Sequence, residues 1–223
     1  MPFGFHRRAG PKPAGGARAG EGGQERSRGA VPFDGLTEDW RLVGFMAIEG
    51  RLSDALNRRE SMAISDVSWA PIDGSTWFEP APGLQKLDPY DLVVVLAGEG
   101  TLPPLSDAEK AAFKVHKVPY DVSLEVPPFR VVGTVYLYPG SEPERLLDRS
   151  TELFLPVTDA VAFHGEQPIG DQDVDVVLVN RSYLRGVAQV DRGTVTAARA
   201  LLRRAASGEP LIGGPEGEGP TEA

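Results

Sequence analysis

The stretch RVVGTVYLYPG at residues 130–140 decides the fold, because the chain contains a close variant of it, RLVGFMAIEG, at residues 41–50. Each copy is an apolar run that ends in a glycine turn, at Gly50 or Gly140. Such a run, bounded by turn residues, is typical of a strand in a packed sheet. Three identical residues align the copies: Arg41, Val43 and Gly44 with Arg130, Val132 and Gly133.

The match continues beyond this strand through three more pairs of landmarks. They are Leu56–Asn57 with Leu147–Asp148, Ser65–Asp66 with Thr158–Asp159, and Asp91 with Asp175 at the head of the last strand. The separation is 89 positions at the glycines and 84 at the last strand, because the connecting loops differ in length. Four landmarks in the same order predict an internal duplication, with β modules at residues 34–104 and 118–190.

The remaining pattern is also mainly β. Residues 118–126 alternate apolar and polar side chains, which predicts a strand with one buried face, whereas 90–97 and 173–180 are apolar on both faces. Two helices are predicted. One is a connector at 105–117, with the capping-box pair Ser106 and Glu109; the other is a C-terminal helix within 191–208. The apolar stripe of this second helix is expected to dock on the chain's own sheet: Val195, Ala198, Leu202 and Ala205.

The two ends of the chain have little to bury. Residues 1–33 hold six Lys/Arg against two Glu and are rich in Gly, Ala and Pro, and residues 209–223 are acidic with no base. Such segments do not gain enough apolar burial to offset the entropy of ordering, so both are predicted to be disordered. The basic arm has two interpretations, a contact with an acidic partner or a solubilising tail.

Composition excludes some function classes. The net charge of −9 lies mainly in the body of the chain, and this disfavours general nucleic-acid binding. The absence of cysteine removes disulfides, thiolate nucleophiles and Cys-based metal sites. No apolar run is long enough to cross a bilayer and no secretory signal is visible, so a cytoplasmic location is expected.

No catalytic motif stands out. The three histidines, His6, His116 and His164, have no metal-ligand spacing, and the glycines of GEG at 98–100 do not open a helix as a phosphate loop requires. The alternating carboxylates of GDQDVDV at 170–176 are interpreted as a solvated turn rather than a cation site, because they lack the glycine and distal glutamate of a calcium loop. We therefore expect a protein that is not an enzyme, with no cofactor and no metal.

One loop suggests contact with another molecule. The insert of the first copy carries Trp77, Phe78, Pro80 and Pro82. Aromatic side chains of this kind anchor partners, but the loop also has a second interpretation, in which it folds over the gap between the two modules and buries its aromatics there.

The second copy carries the pattern Gly133, Leu147, Asp148, Thr158, Asp159, Asn180, Arg185 and Gly186, and closes with VNRSYLRGV. In this pattern the chain resembles a family of small bacterial β-domain proteins of unknown function, and it is distantly similar to the Sm-like small barrel. The resemblance covers residues 36–102 and 118–190, and the first copy has GEGTLPP where the second has Arg-Gly. It implies two tandem Sm/SH3-like barrel or half-barrel modules, with nucleic-acid or nucleotide binding through Arg185 and Gly186.

Together these patterns predict a non-catalytic scaffold or regulatory module that binds a protein partner or associates with itself. The predicted partner-binding residues are Trp77, Phe78 and Arg185. The alternative is nucleic-acid or nucleotide binding through an Sm-like barrel.

Overall fold

The computed structural model describes residues 30–98, 117–148, 152–171 and 173–208. Within these ranges the chain is mainly β, as predicted, with twelve strands, two α-helices and three short 3-10 helices. The first half comprises β1 (Ala30–Leu36), β2 (Trp40–Ala47), α1 (Leu52–Asn57), β3 (Met62–Pro71), β4 (Glu79–Pro80), β5 (Lys86–Leu87), η1 (Pro89–Asp91) and β6 (Val94–Gly98). The second half comprises β7 (Val118–Val126), β8 (Phe129–Leu137), η2 (Pro143–Leu147), β9 (Phe154–His164), β10 (Gln167–Ile169), β11 (Val174–Asn180), η3 (Arg181–Tyr183), β12 (Gly186–Gln189) and α2 (Arg192–Ala206).

Three predicted segments lie wholly or partly outside these ranges. The connector helix falls almost entirely on residues 99–116 and the acidic tail on 209–223. The basic arm was predicted to reach residue 33, but β1 begins at Ala30, so its last four residues belong to a strand.

All strands belong to one antiparallel sheet that is open, in the order β12-β7-β8-β9-β11-β6-β1-β2-β3-β4, with β10 beside β9 and β5 beside β3. The sequence predicted two tandem barrel or half-barrel modules, whereas the structure shows one open sheet. Strand β6 of the first half pairs with β11 of the second, so the halves share this single sheet.

The central pair explains why the two halves join. Alternate residues of β6 and β11 point to opposite faces of the sheet and join two different hydrophobic cores. Val94 packs with Val177 and Val179 in the larger, main core, whereas Val95 packs with Leu178 in the core of the first half. Both strands are therefore buried on both faces, in agreement with their continuous apolar runs. Neither strand has a polar face to present to water. Pairing across the halves therefore buries apolar side chains that each half alone would leave exposed to water.

The hairpins of the two halves have the same register. Strand β3 contains a bulge opposite Gly44 of β2, and β9 contains one opposite Gly133 of β8. In these bulges Asp66 and Asp159 adopt positive φ values of 51° and 50°. The paired residues correspond one by one: Arg41–Ala70 with Arg130–Phe163, Leu42–Trp69 with Val131–Ala162, Val43–Ser68 with Val132–Val161, and Phe45–Ser65 with Thr134–Thr158.

Both bulges require glycine because the facing strand comes too close for a side chain. A Cβ atom at Gly44 would lie 2.9 Å from the carbonyl oxygen of Ser65, and one at Gly133 would lie 2.8 Å from that of Thr158. The aspartates at these bulges, Asp66 and Asp159, lie inside strands. Their left-handed backbone, which Asp tolerates better than most residues, redirects the strand.

The correspondence extends to the later strands, but not as the sequence predicted. Leu36 faces Val94 of β6 as Glu125 faces Gly186 of β12, and Met62 faces Leu87 of β5 as Leu155 faces Val179 of β11. Thus β6 corresponds to β12, and β5 to β11.

The 3-10 helices before these last strands agree with this assignment. Asp88 caps η1 by accepting a hydrogen bond from Tyr90 N at 3.0 Å, and Asn180 caps η3 by accepting one from Ser182 N at 2.9 Å.

The predicted pairing of Asp91 with Asp175 is therefore wrong. In the corrected register Asp91 corresponds to Tyr183, because both are the last residue of a 3-10 helix. The error has a physical cause: the first-half counterpart of the long apolar β11 is the two-residue strand β5, which carries no apolar run to match.

The C-terminal helix is confirmed as α2. Its buried residues Val195, Ala198 and Leu202 pack on Val132, Val161 and Phe163 of β8 and β9, on the face opposite the main core. The predicted docking of this stripe on the chain's own sheet is therefore confirmed.

Candidate interaction site

The loop before β4 carries the most exposed large apolar side chain in the part of the chain that the structure describes. Trp77 is 92% exposed and Phe78 42% exposed. Of the two interpretations of this loop, burial of its aromatics between the halves is wrong for Trp77. An indole held in water at this level is unfavourable unless another molecule covers it.

A polar turn holds the start of this loop. Ser75 N donates a hydrogen bond to Asp73 Oδ1 at 2.9 Å. This contact with Ser75 is the main reason that the pKa of Asp73 lies below its ordinary value, and the charge of His164 lowers the pKa further.

An ion pair supports the other side of the loop. Arg41 Nε donates to Asp34 Oδ1 at 2.9 Å, and its Nη2 donates to Asp34 Oδ2 at 2.5 Å. Burial acts to lower the pKa of Arg41, but the hydrogen bond and charge of Asp34, with the charge of Asp171, outweigh it and the pKa is raised. The guanidinium carbon lies 5.7 Å from the ring centre of Phe78, so a fixed cation supports this aromatic ring.

The residues that follow Phe78 in the sequence line one side of a groove of about 570 Å³. One wall is the bulged part of β3 and the other is the segment after Phe78 that runs back along that strand. Its lining is mixed: Ile64, Ser65, Asp66, Val67, Ser68, Pro80, Ala81, Pro82, Leu84 and Gln85. Apolar walls with a few polar groups are typical of a binding groove.

The same place in the second half is covered by α2. Arg192 Nη2 donates to Asp159 Oδ2 at 2.7 Å, and its Nη1 donates to Thr134 Oγ1 at 3.0 Å. Farther along the helix, Arg199 Nη1 donates to Val174 O at 2.5 Å. Arg192 and Arg199 of α2 thus contact the two segments of the second half that correspond to the two walls of the groove. Among the residues that the structure describes, no helix covers the groove of the first half.

Arg185 is exposed and lies far from the aromatic loop in the strand order. It precedes β12 at one end of the sheet, whereas Trp77 and Phe78 precede β4 at the other. Arg185 Nη1 donates to Ser182 O at 3.1 Å, which holds the side chain over η3. The three predicted partner-binding residues thus lie near the two ends of the strand order, and their joint role stays a prediction.

The described part of the chain contains no group of three or more His, Asp or Glu side chains arranged to hold a metal ion. Asp171 Oδ1 instead accepts a hydrogen bond from Asp173 N at 3.1 Å, as expected for a turn. His164 ends β9 immediately before the turn at Gly165.

Sequence reasoning missed the groove and Arg192. The groove depends on the bulge at Asp66, and Arg192 bridges residues of three different strands. The only local sequence signal for the groove or for the contacts of Arg192 is the Ser/Thr-Asp pair that occurs in both halves.

Comparison with known proteins found no match among family models, curated proteins or solved structures. In the described ranges, no helix combines the length and the apolar character needed to span a membrane.

Proposed function

We propose that the protein is a non-catalytic interaction module that docks a partner protein on the aromatic loop and the adjacent groove of its first half. The observation that carries the proposal is the 92% exposure of Trp77. Trp is among the residues that contribute most to binding when a partner covers it. The loop is braced by Arg41 and the Asp73 turn, so little entropy is lost when a partner orders it.

We further propose that the two halves descend from one duplicated module related to the Sm/SH3-like small barrels. The support is the shared register of the two hairpins, with a glycine at each bulge and an aspartate of positive φ opposite it. Each half also has a 3-10 helix before its last strand, and that strand pairs with the first one. After duplication, one copy can gain a covering helix while the other keeps its outer surface for a partner.

The test is affinity capture from native extract with three proteins: wild type, Trp77→Ala and the matched control Tyr138→Ala. Tyr138 is also exposed, at 60%, but it lies at the end of β8 in the second half. We expect a specific partner to be lost with Trp77→Ala and retained with Tyr138→Ala. The melting temperature of Trp77→Ala should stay within about 2 °C of wild type, because an exposed side chain contributes little to folding.

Two results would contradict the proposal. One is the same set of captured proteins with both variants. The other is a large fall in the melting temperature of Trp77→Ala, which would assign Trp77 to the core.

The alternative function, nucleic-acid binding, remains a prediction that depends on Arg185, which is exposed. An electrophoretic shift titrated with salt distinguishes it, since phosphate contacts weaken steeply as salt rises. Binding that falls with Arg185→Ala and with added salt would favour this alternative.

A further inference from the structure

The junction between the halves is an interface in which one half inserts a strand into the other. Strand β11 pairs along the outer edge of β6, and Leu178 enters the core of the first half. Phe154, at the start of β9, enters the same core and is completely buried. The first half is thus the acceptor of this interface and the second half is the donor.

Strand β12 corresponds to β6, and it ends the strand order among the residues that the structure describes. Val190 N donates to Asp121 O of β7 at 2.9 Å. Because backbone groups alternate in direction along an antiparallel strand, those of Val187 and Gln189 point away from β7. On β6 the corresponding edge faces β11, where Asn180 N donates to Val93 O at 2.9 Å.

An apolar side chain is exposed beside this edge. The 3-10 helix η2 packs next to β12. Its Leu146 is buried in the same core as Leu184, whereas Leu147 is 47% exposed. Leu147 therefore offers apolar surface to a strand added at this edge.

The opposite end of the sheet does not offer a matching donor. The first-half counterparts of Leu153 and Phe154 are Glu60 and Ser61, and that of Leu178 is Lys86. All three are exposed, and β5 has only two residues. Lysine and a short strand are devices that protect a sheet edge from pairing, so a second copy cannot repeat the internal interface head to tail.

We propose that the outer edge of β12, with Leu147 beside it, binds an extended segment of a different protein. The segment adds an antiparallel strand and places apolar side chains at alternate positions toward Leu147, as β11 does toward the first half. β12 has no proline or charged residue to prevent this addition. The surface is separate from the aromatic loop, so either proposal stands if the other fails.

The experiment uses the full chain and a fluorescent peptide with the sequence DVDVVLVNR, copied from residues 173–181. We expect a saturable rise in fluorescence anisotropy with the full chain and none with a peptide of the same composition in scrambled order. Gln189→Pro removes an outward N–H but no hydrogen bond to β7, and should weaken binding about tenfold. The matched control Gln189→Ala keeps the N–H and should bind within about twofold of wild type.

Leu147→Ser tests the apolar part independently. Its side chain is already half exposed, so the variant should fold normally and bind the peptide about tenfold more weakly. The proposal is overturned if the peptide does not bind, or if it binds equally to wild type, Gln189→Pro and Leu147→Ser. It is also overturned if light scattering finds a wild-type dimer that Gln189→Pro converts to a monomer, because the occupant would then be a second copy.

Discussion

The starts of β3 and β9 follow the same strand path but meet different surroundings. In the second half Leu153 and Phe154 are buried against the first half, and Asn57 Oδ1 accepts a hydrogen bond from Phe154 N at 2.7 Å. Their counterparts Glu60 and Ser61 are exposed. The two hairpins therefore share a backbone register, while a few side chains at the starts of β3 and β9 decide that the second half inserts into the first.

Phe154→Ala is the substitution that we expect to destabilise the junction between the halves most. The change leaves a cavity in the core shared by the halves, and we expect it to lower the free energy of unfolding by about 3–5 kcal/mol. Chemical denaturation followed by circular dichroism measures the loss. The matched control Ser61→Ala, at the corresponding position of the first half, should change stability by less than about 0.5 kcal/mol. Equal effects of the two variants would mean that the junction does not depend on Phe154.

A second pair compares the caps of the 3-10 helices. Asn180 is fully buried, and its Nδ2 donates to Leu92 O of the first half at 2.7 Å, whereas Asp88 is exposed. Asn180→Asp removes this donor and sets a carboxylate against a carbonyl oxygen, so we expect a loss of about 3 kcal/mol. Asp88→Asn keeps its cap and should be within about 0.5 kcal/mol of wild type. Thermal unfolding at neutral pH measures both, and a stable Asn180→Asp would show that this side chain does not tie the halves together.

The strands and the shared register of the two hairpins were predictable from sequence because apolar periodicity and glycine turns are local signals. Gly44 and Gly133 hold equivalent places in that register, and close approach of the facing strand explains why each is needed. The pairing of Asp91 with Asp175 was wrong because β5 lacks the apolar run that β11 has. The groove and the β12 edge were not predictable, because both depend on which strands pair across the sheet. Such pairing between residues far apart in sequence leaves no periodic signal.

A third comparison sets the two bulge glycines against each other. At Gly133 a Cβ atom would lie 2.8 Å from each of three atoms, in Val157, Thr158 and Ala160, whereas at Gly44 only the Ser65 oxygen lies within 3.0 Å. We expect Gly133→Ala to cost about 2–3 kcal/mol and Gly44→Ala about 1–2 kcal/mol, because the more enclosed bulge has less room to relax. Urea denaturation gives both values. The reverse order would indicate that the bulge of the second half is the more adaptable one.

The smallest expected effect concerns the helix that covers only the second half. Arg192 connects α2 to Asp159 and Asp121, at 2.7 and 3.3 Å, but its own side chain is 59% exposed. An ion pair in water contributes little, so Arg192→Ala should lower the free energy of unfolding only slightly at low salt. The difference should shrink further in 1 M salt, which screens exposed charges. Leu202→Ala, which removes a fully packed contact of the same helix, should cost about 2–4 kcal/mol at any salt concentration. If Arg192→Ala proved as destabilising as Leu202→Ala, the helix would be held mainly by its ion pairs with Asp159 and Asp121 rather than by its apolar contacts.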